Sequence, residues 1–178
     1  MPGYNVPNYT TNNVSIGPGI LFLGVSGQTP TTDVGAVKGG ELTITREKLA
    51  VEQGFPAQEI ISYAIKETVT LTVQSIEWNF ENLRFALGAG VATATQFDFG
   101  GDMNFTQCAV KYQHRIPAGA TIEIDIWRCD GAGDMTTSFA GQDVHEFPYS
   151  FNALNATTDW AGNTLEDVKS LFQMRRQN

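Results

Sequence analysis

One run of alternation constrains this chain more than any other feature. From Ile61 to Gln74 the odd positions read Ile, Tyr, Ile, Glu, Val, Leu, Val and the even ones Ser, Ala, Lys, Thr, Thr, Thr, Gln. With one lapse at Glu67, that is the period of a β-strand with a single dry face. The apolar run from Ile61 to Val73 would span about 43 Å at about 3.3 Å per residue, against about 17–20 Å for an ordinary strand. A chain of 178 residues has the size of one domain. The core of one such domain does not need a strand of that reach.

The flanking sequence predicts a mainly β chain. "IGPGILFLGV" (16–25) is a short apolar strand behind a Gly-Pro-Gly turn, and "SGQTPTTDVGAVKGG" (26–40) reads as a loop. "ELTITREKLAVEQ" (41–53) is a second long strand with Leu42 and Ile44 on one face and a change of phase near Lys48. After Trp78, "NFENLRFALGAG" predicts a short helix: Asn79 caps it, Phe80, Leu83 and Leu87 form its stripe, and Gly88 stands at the C′ position. Further strands are expected over 95–100, 104–114, 120–129, 135–141 and 145–154, with turns at 116–119 and 130–134. "TLEDVKSLFQMRR" (164–176) reads as a closing helix capped by Thr164, with Leu165, Val168, Leu171 and Phe172 as its apolar stripe. The division is therefore a flexible polar arm (1–15), a β domain (16–160) and a helical tail (161–178), with no internal repeat.

Charge narrows the function classes. The formal net charge is −8 and charged residues make up only 17% of the chain, which argues against a protein that grips a phosphate backbone through lysine and arginine. The same balance is compatible with touching nucleic acid without holding it. No window offers about 20 apolar residues, so no membrane insertion is expected. The N-terminal sequence has neither the basic nor the apolar region of a secretory signal. Two cysteines, Cys108 and Cys129, make no disulfide framework and read as buried core thiols of a chain made in cytoplasm.

No catalytic signature emerges. Cys108, His114, Cys129 and His145 lack the close pairs of a zinc site. "DGAGD" (130–134) lacks the later ligands of a calcium loop and reads as a hairpin turn. The glycine-rich 24–35 segment has no Gly-Lys-Ser/Thr, and no Gly-x-Ser-x-Gly occurs. Asp98 and Asp102 have the look of turn residues at strand ends. Neither an enzyme nor a cofactor is expected.

The informative face is polar without being charged. Thr68, Thr70, Thr72 and Gln74 line one side of the long strand, and "TIEIDIW" sets Glu123, Asp125 and Trp127 opposite Ile122, Ile124 and Ile126. A long, lightly charged strand left in water invites edge pairing, which soluble monomers avoid. Strands that join those of neighbouring copies in a closed sheet remove the problem.

Three segments, "VSIGPGILFLG", "GQTPTTDVGAVKGGELTITREKLAVEQGFPAQEI" and "ETVTLTVQSIEWNFENLRFALGAG", together resemble tail tube proteins of tailed bacteriophages over residues 14–90. The resemblance lies in the order of parts: a first strand, a Pro-Thr-Asp loop, a paired long hairpin, then a strand leading into a helix. It implies a two-sheet β-sandwich or barrel subunit with a flanking helix, six of which form a ring whose inner sheets join; rings stack into a hollow conduit for DNA, similar to the inner tube of type VI secretion systems. A protein of this kind is assembled in host cytoplasm and resides in the virion tail. Its partners would be copies of itself, with sheath, tape-measure, baseplate and tail-terminator proteins, and DNA in transit. The lumen candidates are Thr68, Thr70, Thr72, Gln74, Glu123 and Asp125. Candidates for contacts between subunits and rings are Tyr4, Tyr9, Pro30, Thr31, Asp33, Leu165, Val168 and Phe172. The family often carries an additional C-terminal immunoglobulin-like domain, for which this sequence leaves no room. Two other readings remain at this point: another ring-forming tail or neck component, or a monomeric sandwich that binds carbohydrate or a receptor by stacking Trp127, Tyr149 or Trp160 on a ligand.

Overall fold

A computed structural model describes residues 17–101, 103–116, 119–139 and 144–177. The expected arm, with Tyr4 and Tyr9, lies outside the described residues, as does Asp102. The chain is mainly β. Its strands are β1 (Ile20–Val25), β2 (Thr32–Asp33), β3 (Val37–Gln53), β4 (Gln58–Ser75), β5 (Val91–Ala92), β6 (Phe97–Asp98), β7 (Gln107–Arg115), β8 (Thr121–Gly131), β9 (Phe147–Ala153) and β10 (Gln173–Gln177), with the helix α1 (Phe80–Leu87) between β4 and β5.

Eight strands form one antiparallel sheet in the order β2-β1-β7-β8-β9-β4-β3, with β10 added on β8; β5 and β6 pair apart from it. β8 is the joint of this sheet. Its Thr121–Asp125 stretch pairs with β10, while Cys129–Gly131 pairs with β9. The β1-β7 half and the β9-β4 half share one core, in which Leu21, Leu23, Val110 and Ile126 cluster with Leu71, Val73, Tyr149 and Phe151.

The helix forms where the sequence predicts it. Asn79 Oδ1 accepts from the backbone N–H groups of Glu81 at 3.0 Å and Asn82 at 3.3 Å, and Gly88 closes the C-terminus in the left-handed region at φ 65°. Leu83, Phe85 and Ala86 of α1 are buried in the core. At Gly131 of β8 a Cβ would stand 2.2 Å from the Ala86 carbonyl oxygen, so only glycine admits this close helix–strand approach.

The 26–40 segment is not all loop, since it holds β2 and the start of β3, and two expected elements do not form. No strand forms over residues 135–139; Met135 packs against the core from irregular chain. The closing helix over 164–176 is not formed either. Thr164 makes an isolated bridge with Thr158, Asp167–Lys169 is a single 3₁₀ turn, and Gln173–Gln177 is strand β10. The reason is tertiary. A short isolated helix is marginal in water, whereas β10 completes an open edge of β8 and brings Arg175 within 2.7 Å of Glu123 and 2.8 Å of Asp125.

Candidate functional site

The long strand is longer than the alternation suggests: β4 runs for 18 residues and β3 for 17, and they pair along nearly their whole length. Among the described residues, only Thr70–Ser75 of β4 has a second neighbour, β9. Beyond Thr70 the two strands continue as a two-stranded arm, joined at its tip by a turn that carries Phe55 and a cis bond to Pro56. The other edge of β3 has no strand partner among the described residues.

The arm has two unlike faces, and they exchange character along it. Near the core, Val69, Leu71 and Val73 face inward, opposite Ile44, Leu42 and Gly40. The lapse in the alternation, Glu67, opposes Arg46 and meets it in an ion pair at 2.7 Å where the core ends. Past that point a register shift lies between Glu47 and Lys48, because Lys66 pairs with Glu47 and Ala64 with Lys48, which leaves Ile65 extra. This β-bulge advances β4 by one residue. Leu49 opposite Tyr63 and Val51 opposite Ile61 therefore fall on the side that carries the threonines nearer the core, while Lys48 and Glu59 (3.1 Å apart) share the other side.

These apolar side chains are not covered. Leu49, Tyr63, Ile61 and Val51 are all exposed, Ile65 is 59% exposed, and Phe55 at the tip is fully exposed. A two-stranded ribbon with an apolar face and an open edge is a liability for a chain alone in water.

The threonine face continues over neighbouring strands. Thr43 opposes Thr70 and Thr45 opposes Thr68. Thr70 Oγ1 donates to Asn152 Oδ1 at 2.9 Å, and the hydroxyls of Thr72 and Ser150 share a hydrogen bond at 2.9 Å. Thr68 is exposed, while Thr70, Thr72 and Gln74 are half-buried. The four side chains expected on one face are thus on one face, joined to Ser150 and Asn152 of β9, which the sequence reading had not connected with them.

Glu123 and Asp125 do not share that surface. Both are buried, at 3% and 0% exposure, so their expected place on a solvent face is overturned. β10 lies along β8 beside them, and the chain between β9 and β10 crosses over the same face: Trp160 meets Trp127 edge-on at 4.7 Å and Lys111 at 5.2 Å, and Trp127 Nε1 donates to the Lys169 carbonyl at 3.1 Å. Burial pushes the Asp125 carboxyl up to about 6, against the pull of the Arg175 and Lys111 charges. Burial also acts on Glu123, but hydrogen bonds from Arg175 and Gln113, with the nearby cations, outweigh it and hold Glu123 below its ordinary range. The pair is a buried clamp on the C-terminal strand.

The remaining candidates divide. Pro30 is buried against β1, where a Cβ on Gly24 would stand 2.9 Å from Pro30 Cα, so it offers no outer contact. Thr31 and Asp33 are exposed, and Asp33 Oδ1 accepts from the Gly35 N–H at 2.9 Å. Phe172 packs against the core and Leu165 is half-buried, but Val168 is 85% exposed. Val168, Leu171 and Phe172 line a shallow groove with Ile44 and Val69 at the root of the arm. Of the three rings a ligand-stacking module would use, Tyr149 and Trp127 are buried. Both thiols are buried, as expected, and His114 is buried too.

No protein-family model matches this sequence, and no curated protein matches it. Among the described residues no helix is long and apolar enough to cross a membrane, and no three His, Cys, Asp or Glu side chains converge as a metal site.

Proposed function

We propose that this chain is a structural subunit that assembles with copies of itself, and that the assembly is a tail tube: β-sandwich subunits in hexameric rings, stacked into a hollow conduit for DNA. The observation that carries the self-assembly is the projecting arm. Its apolar pairs, Leu49–Tyr63 and Val51–Ile61, lie on one exposed face, and its long β3 edge lacks a strand partner among the described residues. A second copy that covers the face or adds a strand removes both liabilities. The identity of the assembly as a tube rests on the resemblance over residues 14–90, and so do its virion location and its sheath, tape-measure, baseplate and terminator partners.

The lumen surface in this reading is the threonine face: Thr68, Thr70, Thr72 and Gln74, extended by Ser150 and Asn152. Such a wall offers hydrogen bonds to passing DNA, and Lys66, which stands next to Thr68 on this side of β4, is paired with Glu47 at 3.6 Å. Glu123 and Asp125 are withdrawn from the lumen, because their charges are engaged by Arg175. The subunit does its work through shape and surface, not catalysis.

Negative-stain electron microscopy of the purified protein, dilute and concentrated, tests this directly. Rings or tubes with an open centre are the expected result. A monodisperse monomer at every concentration would overturn the reading and favour the monomeric binding module.

A further inference from the structure

The chain has only two cysteines, and the fold sets them directly opposite each other. Cys108 on β7 and Cys129 on β8 are Cα partners in the antiparallel ladder. Their sulfurs stand 3.2 Å apart, and both residues have no exposed surface. Cys129 Sγ also lies 3.3 Å from the Cys108 carbonyl oxygen. Opposed strand positions have the Cα spacing that a disulfide requires, so closing the sulfurs by about 1 Å needs rotation of side chains and no new path of the backbone.

The position within the sheet gives such a bond a consequence. Cys129 pairs with Cys108 of β7 on one edge of β8 and with Ala153 of β9 on the other. It sits beside the irregularity where the β7–β8 register slips by one residue between Cys108 and Val110. This is the point at which the β1-β7 half of the sheet is joined to the β9-β4-β3 half. A bond there would tie the halves together through the one strand they share.

We propose that Cys108 and Cys129 form an oxidation site, a cross-strand disulfide that closes when the folded protein meets a peroxide. The chemistry balances with hydrogen peroxide as the oxidant. One thiolate attacks a peroxide oxygen, the O–O bond breaks, and the sulfenic acid forms as hydroxide leaves. The second thiolate then attacks that sulfur and displaces a second hydroxide. The two thiol protons end in two waters, and two electrons pass from the sulfurs to the peroxide. Burial pushes the Cys129 thiol well up from its ordinary range, and both sulfurs lie out of reach of solvent, so the bond closes slowly, through transient opening of the β7–β8 ladder. This inference is independent of the tube reading.

The test is intact-mass spectrometry of the folded full-length protein held with hydrogen peroxide for hours. It is followed by denaturation, alkylation and a thermal melt of a parallel sample. The expected product is 2 Da lighter, takes no alkyl groups, returns to two alkylatable thiols with dithiothreitol, and melts about 5–10 °C higher. Cys108→Ala and Cys129→Ala should each abolish both the mass loss and the shift. Cys108→Ser and Cys129→Ser repeat the test should an alanine variant fail to fold. Two free thiols after prolonged exposure, or stepwise addition of oxygen in place of the loss of hydrogen, would overturn the proposal. A 2 Da loss with an unchanged or lowered melting point would overturn the claim that the bond ties the two halves.

Discussion

The two halves of strand β4 are built from the same kinds of residue in the same alternation, yet they are stabilised differently. From Val69 to Ser75 the strand has β3 on one side, β9 along most of the other, and a core beneath Val69, Leu71 and Val73. From Gln58 to Thr68 it has β3 alone among the described residues, and its side chains face solvent. The inner half is held by burial, at about 25 cal/mol per Å² of apolar surface. The outer half is held by ladder hydrogen bonds and exposed ion pairs, which contribute little in water. Alternation therefore reports that a strand has an apolar side, but not whether that side belongs to its own core or to a neighbour.

Substitutions can break this contrast. The largest effect on folding belongs to the inner half: Leu71→Ala should cost about 2–5 kcal/mol in urea unfolding. A cost below 1 kcal/mol would mean that the core is not where the inner half derives its stability.

Asp125→Asn comes next and acts in the opposite direction. Asp125 has a folded value of about 6 against 3.8 for the free group. Its contribution to stability is therefore fully present below about pH 3.8 and lost as pH rises through about 6. At pH 7.5 the variant should be more stable than the parent by up to about 3 kcal/mol, and the difference should shrink towards pH 4. Thermal melts across that range measure it. A variant less stable at pH 7.5 would show that the ion pair with Arg175 outweighs the cost of burial.

Smaller effects on folding are expected in the outer half. Leu49→Asp combined with Tyr63→Asp should leave monomer stability within about 0.5 kcal/mol while abolishing higher-order assembly in sedimentation and electron microscopy. Loss of the fold itself would contradict the division between the halves. A single alanine inserted between Glu47 and Lys48 tests the bulge directly. It supplies the missing partner of Ile65, removes the bulge and swings Leu49 and Tyr63 to the opposite face. The expected protein folds as before but does not assemble; unimpaired assembly would show that the bulge is not what aims the outer face.

The legible and illegible parts of the sequence follow from the same physics. The helix was readable because Asn79, the Phe80–Leu87 stripe and Gly88 are local signals that agree. The exchange of faces in the arm was half readable. On β3 the apolar residues move from even positions, Leu42 and Ile44, to odd ones, Leu49 and Val51, and this marks a true change of side. On β4 the odd positions run unbroken because the bulge at Ile65 absorbs the change, so the sequence of that strand alone hides it. The C-terminal segment misled because the spacing of Leu165, Val168, Leu171 and Phe172 fits a helix, while the decisive partners, Glu123 and Asp125, lie about 50 residues away in the chain. The same distance explains the lumen candidates that failed. Period two places Glu123 and Asp125 on one face, but nothing local says that β10 and Trp160 will cover it.

The placement of α1 has a consequence of its own. β4 and β8 run in the same direction, since each is antiparallel to β9. Both finish at the end of the molecule where α1 packs against Gly131, and the arm leaves from the opposite end. In the proposed assembly each subunit is thus a vector, with a prong at its head and a helix at its base. Copies added in a common orientation make a column whose two ends are chemically different, one presenting tips with Phe55 and the other presenting helices. Growth from the two ends need not proceed at equal rates, and a factor shaped to stop one of them has no matching surface on the other.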